Sequence, residues 1–474
     1  MSDLHGKHYD TLIIGAGMSG LAAGIRLAHY GKNVLILERH TLPGGLNSYY
    51  MRGGRCHDTG LHALTNATPA GAKGTPLAKI LRQLRLRHEA LELAPQRHSA
   101  IHFAGKRIAF TNNNFAGFEA RLADAYPRQA DALRRLDTAL RAYPDTALDA
   151  PPGSARAFLA EHLGDPELID LLLLPLFYYG SARPNDMDLP QLAIMWKSLF
   201  HEGFARPREG VRQILRLLLE KYHAAGGTRK MGTGVRRLHT DAQRVTAAEL
   251  DNGEILTATT VLSSAGLAET HRLCGAPADA TATPGALSFC ETITLLDQRP
   301  REDFHWQETI LFYCDSDRLR YESPDALVDP RSGVICIPNN YAYAPPHSLD
   351  KGWLRVTALA SHAHWKALSP DAYAAAKHEW HAKLNATARA HLPPVPDARF
   401  DAAIAARDMF TPLTIERYTG HINGAIYGAP LKRRDGRTHW ENLFLCGTDQ
   451  GFLGITGALL SGISMANLHI LKTD

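Results

Sequence analysis

"DTLIIGAGMSGLAAGIRLAHYGKNVLILER", residues 10–39, sets out in succession a strand, a glycine turn, a helix, a second strand and an acid. The apolar run over residues 9–14 ends in Gly15-Ala16-Gly17-Met18-Ser19-Gly20, and a helical pattern follows through Leu21, Ile25 and Leu27 to Gly31. A second apolar run, Val34 to Leu37, closes on Glu38. Each part has a physical role. Gly15 permits a tight turn, Gly17 lets a pyrophosphate approach the backbone, and Gly20 lets helix and strand pack closely. The helix start, with Met18 and Ser19 in its first turn, offers unpaired N–H groups and a partial positive charge to phosphates. Glu38 stands at the distance from which a carboxylate accepts hydrogen bonds from ribose hydroxyls. A lone G-x-G-x-x-G is weak; framed by two strands and the acid, it predicts a dinucleotide site.

Directly downstream, "RHTLPGGLNSYYMRGGRCHDTGLHAL" adds a second flexible turn, Pro43-Gly44-Gly45, placed to meet the same phosphates, and the element Asp58-Thr59-Gly60-Leu61-His62. Here the sequence resembles the FAD-binding flavoproteins that include amine oxidases, carotenoid desaturases and isomerases, retinol saturases and Rab GDP-dissociation inhibitors. The resemblance implies FAD, with Arg39, Gly44, Gly45, Leu46 and His62 among its neighbours. Where amine oxidases and desaturases usually carry Arg after the Gly-Gly, this chain has Leu46. The segment before Gly210, "RPREG", departs from the double glycine of many desaturases.

The 474 residues exceed one compact core, so two domains are the default. Hydrophobic residues at 45% and charged residues at 21% describe a soluble globular chain, and a net charge of +4 without a dense basic block gives no sign of nucleic acid as a partner. Cys56, Cys274, Cys290, Cys314, Cys336 and Cys446 form no C-x-x-C pair, which points away from a zinc module or disulfide framework and toward a reducing compartment. The 24 histidines fall into no H-E-x-x-H pattern, so no metal is expected. The N-terminal residues lack a secretory h-region, and the apolar run over 168–180, broken by Asp170 and Pro175, is too short for a bilayer.

From residue 71 to about 207 the pattern becomes helical. Ala130, Leu133, Leu136, Leu140 and Tyr143 share one stripe, which reads as a core-facing helix or an interfacial one whose arginines meet lipid headgroups. "PELIDLLLLPLFYYG" reads as a buried helix or as part of an apolar mouth. A helix over 211–222 precedes short strands with a hairpin turn at Asp251-Asn252-Gly253. Strand-like runs over 288–296 and 355–360 and a helix near 372–392 complete the middle, and the proline-rich stretch 391–399 connects back.

The C-terminal block carries a "TP" element at 408–412, glycines at 420, 424 and 428, a strand over 442–446, then Gly447, Asp449, Gly454, Thr456 and Gly457. By resemblance Val235 lies against the adenine through its backbone, Asp449 contacts the ribitol, and the glycine-rich helix start lies under flavin and phosphates. The spacing looks closest to retinol saturase and carotenoid isomerase types. The implied fold class is α/β: a discontinuous, Rossmann-type, amine-oxidase-like FAD-binding domain from residues 1–70, 205–285 and 405–474. A discontinuous α+β substrate domain takes 71–204 and 286–404. The implied activity is FAD-dependent redox or isomerisation chemistry on carbon–carbon bonds of an apolar polyene or isoprenoid. A flavin amine oxidase and a non-catalytic lipid carrier of the Rab GDP-dissociation inhibitor type are the alternatives. Catalytic candidates are His62, Glu416, Tyr418 and His421; no Ser-His-Asp array or paired carboxylate stands out. A cytoplasmic location with peripheral contact on the inner face of a membrane is expected.

Overall fold

The computed structural model describes residues 4–60, 62–276, 282–346 and 349–472, so Leu61 of the Asp-x-Gly-x-His element lies outside the described residues. Two seven-stranded sheets organise the chain. In the first, β1 (His8–Ile14) runs parallel to β2 (Val34–Glu38) on one side and to the strand Ile255–Ser263 on the other. Thr228–Met231 adds to the far edge of β2, and Leu443–Leu445 pairs in parallel with Ile255–Ser263. Val235–Thr240 and Val245–Leu250 extend the sheet antiparallel, and the turn at Asp251-Asn252-Gly253, with Gly253 at φ 83°, joins Val245–Leu250 to Ile255–Ser263.

Register sets the site. Ile14 lies opposite Leu37 and Ser263, and Ser263 lies opposite Leu445, so the four parallel strands end level at their carboxyl edge. In an open parallel sheet that edge is where ligands bind. The helix α1 (Met18–Ala28), the helix Val211–Ala224 and the C-terminal helix Gly454–Ala466 bury Leu21, Ile25, Leu215, Leu218, Ile455 and Leu459 on one face of the sheet. α1 can pack this closely because Gly20 has no side chain: a Cβ there would lie 2.1 Å from the Gly15 carbonyl oxygen. The segment Gly454–Leu471 is long and apolar enough to cross a membrane, a property the shorter run at 168–180 lacks. Here it lies along α1, with Gly462 against the backbone of Ser19.

The second sheet runs Ile404–Phe410, Ser288–Leu296, Gly352–Ala360, Val328–Cys336, Ile310–Cys314, Ser99–Phe103, Lys106–Phe110. On one face it packs the helix Pro166–Gly180, whose Leu171, Leu172 and Phe177 are fully buried. Against the other it packs Pro370–Ala390 through Leu384 and Ala388, with Trp306 and Trp365 filling the layer. The stripe of Ala130–Ala142 turns inward: Leu133, Leu136 and Leu140 are buried in the second core, and the intervening Asp137 accepts hydrogen bonds from Trp196 and His201.

Three local features differ from the sequence reading. The hairpin Ser99–Phe103 and Lys106–Phe110 stands inside the segment read as helical; Ala104 and Gly105, at φ 50° and 71°, make its two-residue turn. Ile404–Phe410, cut by a division at residue 405, pairs along Ser288–Leu296 in the second sheet. The helix Pro76–Leu84, placed by sequence with the second domain, buries Leu77, Ile80 and Leu84 against the first.

Candidate functional site

The level strand ends open on a cavity of about 1600 Å³ that reaches from the first sheet to the second. α1 starts at Met18 after Gly17 with neither a side-chain cap nor an acid in its first turn, and the C-terminal helix starts at Gly454 in the same way. Both starts line the cavity through Gly17, Met18, Ser19, Leu453, Gly454 and Ile455. Two uncapped helix N-termini facing one space present free N–H groups and two partial positive charges, an arrangement that suits a pyrophosphate.

Around them the remaining parts of a dinucleotide cradle fall into place. Glu38 is fixed at the end of β2 by the N–H groups of Ala16 and His40, which donate to its two carboxylate oxygens at 2.8 Å each. A carboxylate has further lone pairs, and Glu38 lines the cavity. The second glycine turn is tied to the first, since Gly44 N–H donates to the Ala16 carbonyl at 2.9 Å. Only glycine serves at Gly44: φ is 114°, and a Cβ would lie 2.4 Å from the Asn47 carbonyl oxygen. Gly45 and Leu46 continue the wall. Thr233 N–H donates to the Glu38 carbonyl and Gly232 N–H to that of His40, which brings Gly234 and Val235 to the same end of the cavity. Arg39 lines this end and donates to the Arg417 carbonyl at 3.1 Å.

Asp449 and Gly447 stand across from this wall. Asp449 is only 2% exposed, and its two oxygens accept from Leu267 N–H at 2.6 Å and Ala429 N–H at 2.7 Å. The buried ammonium of Lys432 lies 3.4 Å away, and burial pulls the Lys432 pKa down against the upward pull of that carboxylate. Asp449 thus ties together a helix start, the 429 loop and its own turn.

Other residues expected at the cofactor stand behind the wall. Gly20 serves packing, Gly457 is pressed on Phe452, and the Thr456 hydroxyl donates to the Thr65 carbonyl at 3.2 Å. Of the catalytic candidates, His62 and His421 line the cavity, and Tyr418 lies on its rim, 50% exposed. Glu416 is not part of the lining; it meets His362 Nε2 at 2.8 Å. His421 Nδ1 lies 3.9 Å from Glu269, whose carboxyl is pushed up chiefly by burial.

Beyond the cradle the cavity widens into a chamber walled by Tyr178, Tyr179, Phe289, Ile426, Tyr427 and Leu453. Pro166–Gly180 is thus both a buried helix and a cavity wall. The Tyr178 and Phe289 rings stack at 5.5 Å, and Tyr427 meets Phe289 edge-on at 6.1 Å. On the chamber floor lies a polar cluster. Glu291 is paired with Arg355, and its other oxygen lies 3.4 Å from His62 Nε2. Burial alone would raise the Glu291 pKa, but Arg355 and His62 hold it below its ordinary value. Arg355 also donates to the carbonyls of Asp58 and Thr59, at 3.2 and 2.7 Å. Sequence reading missed Glu291 and Arg355; the signal was a single acid in "SFCETITLL" and a single arginine in "LRVTALA", each a charge inside an otherwise uncharged strand.

A family described as "Flavin containing amine oxidoreductase" matches residues 18–468. Among curated proteins, the chain is 28% identical over 290 residues to a phytoene dehydrogenase of Streptomyces griseus, covering 56% of each. It is 29% identical over 267 residues to a hydroxyneurosporene desaturase of Rhodobacter capsulatus, covering 52% of this chain and 53% of that one. A chloroplastic prolycopene isomerase of Arabidopsis thaliana is 21% identical over 286 residues, 54% of this chain and 47% of its own. The chain spans about half the length of these curated relatives. Among solved structures, an oxidoreductase from Methanosarcina mazei superposes with a TM-score of 0.64 at 17% identity, covering 96% of this chain and 99% of that one. A putrescine oxidase bound to putrescine gives 0.62 at 16% identity, covering 97% and 98%. At such identity these two likenesses establish the fold.

Proposed function

The chain belongs to the flavin-containing amine oxidoreductase family, its cofactor is FAD, and on that premise we propose that it oxidises or reduces carbon–carbon bonds of an apolar polyene or other isoprenoid. One observation carries the reading: a single cavity joins a dinucleotide cradle to a chamber walled by four aromatic rings. Bound flavin would supply the hydride chemistry. The chain's own residues bind the nucleotide at two helix starts and at Glu38, hold the substrate among Tyr178, Tyr179, Phe289 and Tyr427, and keep water from the reacting carbons. The names of the relatives, a phytoene dehydrogenase and a hydroxyneurosporene desaturase, support this substrate class. Exposed Met51 and Tyr418 at the cavity rim, 60% and 50% accessible, support peripheral membrane contact as well.

The experiment is anaerobic mixing of the flavin-loaded protein with all-trans-ζ-carotene in detergent micelles. Loss of the visible flavin bands together with a red shift of the polyene spectrum is the expected result. Peroxide release with an amine, and no response to the polyene, would replace this reading with amine oxidation. A purified protein that stays colourless and cannot be loaded with FAD would make it a lipid carrier.

A further inference from the structure

The chamber is walled by aromatic and aliphatic side chains except at its floor, where His62, Glu291 and Thr357 line the space together. Nothing in the apolar grip on a polyene calls for a charged pair at this depth. The cluster is nonetheless built with care. Arg355, 2% exposed, is paired with Glu291 and keeps it ionised. Glu291 in turn faces His62 Nε2 at 3.4 Å, and the Thr357 hydroxyl lies 3.3 Å from the same nitrogen. The Tyr341 hydroxyl donates to the His62 carbonyl at 2.7 Å and fixes the backbone beneath the ring. Among the described residues the other ring nitrogen, Nδ1, makes no hydrogen bond, and His62 lines the cavity. A carboxylate on one nitrogen selects the tautomer that leaves the second nitrogen bare. Elsewhere in the cavity Asp408 holds Tyr50 and Arg52, and Glu269 accepts from Ile422 N–H at 2.8 Å; His421 Nδ1, also without a hydrogen bond among the described residues, stands 3.9 Å from Glu269, too far for that carboxylate to fix its tautomer.

Resting on the carbon–carbon reaction read above, we propose that His62 Nδ1 is the group that takes up the substrate proton, with Glu291 and Arg355 as positioning residues. Desaturation of a CH–CH unit breaks two C–H bonds and forms one C–C π bond. Bound flavin would supply the oxidant, accepting one hydrogen as hydride with its electron pair. The other departs as a proton to His62 Nδ1, and the pair it leaves behind becomes the new π bond. The imidazole thereby becomes imidazolium opposite the Glu291 carboxylate, and it returns to neutral by releasing the proton to solvent. In the reverse direction the same nitrogen delivers the proton.

The test uses flavin-loaded protein and all-trans-ζ-carotene in micelles. His62→Gln should lower kcat by about 10²- to 10⁴-fold while KM and flavin content stay within about threefold. His62→Gly should regain part of the lost rate when imidazole is added. Glu291→Gln should lower kcat about tenfold or more with KM retained; should loss of the counter-charge beside Arg355 unfold it, the double variant Glu291→Gln with Arg355→Gln replaces it. Independently of turnover, ¹⁵N spectra should show the His62 signal, assigned by its loss in His62→Gln, as the Nε2–H tautomer. Wild-type turnover combined with unchanged kcat in His62→Gln, or a proton resident on Nδ1, overturns the role of His62 and leaves the reaction standing. Failure of the wild type itself to convert the polyene overturns both.

Discussion

Gly462 rests on the carbonyl of Ser19, so closely that a Cβ on Gly462 would come within 2.0 Å of that oxygen and 3.0 Å of the Ala23 nitrogen. One helix from each end of the fold is thereby held backbone to backbone, and the two helix starts that face the cavity keep a fixed spacing. Gly462→Ala should force the helices apart, at a cost of about 1–3 kcal/mol. The thermal midpoint of the flavin-free protein should fall, and the flavin dissociation constant should rise because the two anion-binding ends no longer converge. Calorimetry and equilibrium dialysis read the two effects separately.

Gly17 behaves differently. Its φ of −72° suits any residue, and the nearest atom to an added Cβ is the Gly44 carbonyl at 4.0 Å. Gly17→Val should therefore leave folding almost intact and place a side chain where the pyrophosphate belongs. Flavin content should fall to near zero with little change in the midpoint of the flavin-free protein. Glu38→Ala should weaken flavin binding and also loosen the turn, since the Ala16 and His40 N–H groups lose a charged acceptor worth about 1.5–3 kcal/mol each.

Asp449→Asn should be costly although it changes few atoms. An amide offers one acceptor and one donor, whereas Leu267 N–H and Ala429 N–H require two acceptors. Lys432 would also lose its buried counter-charge. A loss of about 3–5 kcal/mol is expected, measured by denaturant unfolding. The double variant Asp449→Asn with Lys432→Met should recover part of it.

His381, which is not part of the cavity lining, gives the protein an acid-sensitive element. The ring is buried on Pro370–Ala390 beside Asn385 and the Thr294 hydroxyl, and burial pushes its pKa from 6.5 down to about 4. A histidine depressed in the folded state stabilises fully above 6.5. Below that value the unfolded chain takes up a proton first, so stability is lost as pH falls from 6.5 toward 4, at up to about 1.4 kcal/mol per pH unit. His381→Gln should flatten this slope in urea titrations between pH 7 and 4, as near-neutral conditions no longer differ in the protonation of that site.

The parts legible in the sequence were those whose signal is local. Gly15 to Glu38 spells a strand, turn, helix and strand within thirty residues, and the structure builds those elements where the pattern sets them. The run Ser288–Leu296 was equally plain because it is rich in β-branched and apolar residues, and every residue in it is buried. The hairpin Ser99–Phe110 was hidden by its neighbours: its strands are five residues each, between long helical patterns, and Ala104 in the left-handed region carries no sequence mark. The chamber floor was hidden for a different reason. Glu291, Arg355 and His62 meet only after two strands pair across the second sheet and a loop from the first folds over them, so no spacing rule connects them. Asp449 was recognisable as a site residue, but its bonds to Leu267 and Ala429 depend on segments that are remote in sequence.

The two helix starts that make the cradle are remote from each other in the sequence, with the strands of the second sheet encoded between them. A ribosome making this protein therefore exposes the glycine turn well before its counterpart. Until the second helix start has been made the nascent chain has only half a pocket, so the supply of FAD should govern the yield of folded protein rather than the early course of its folding.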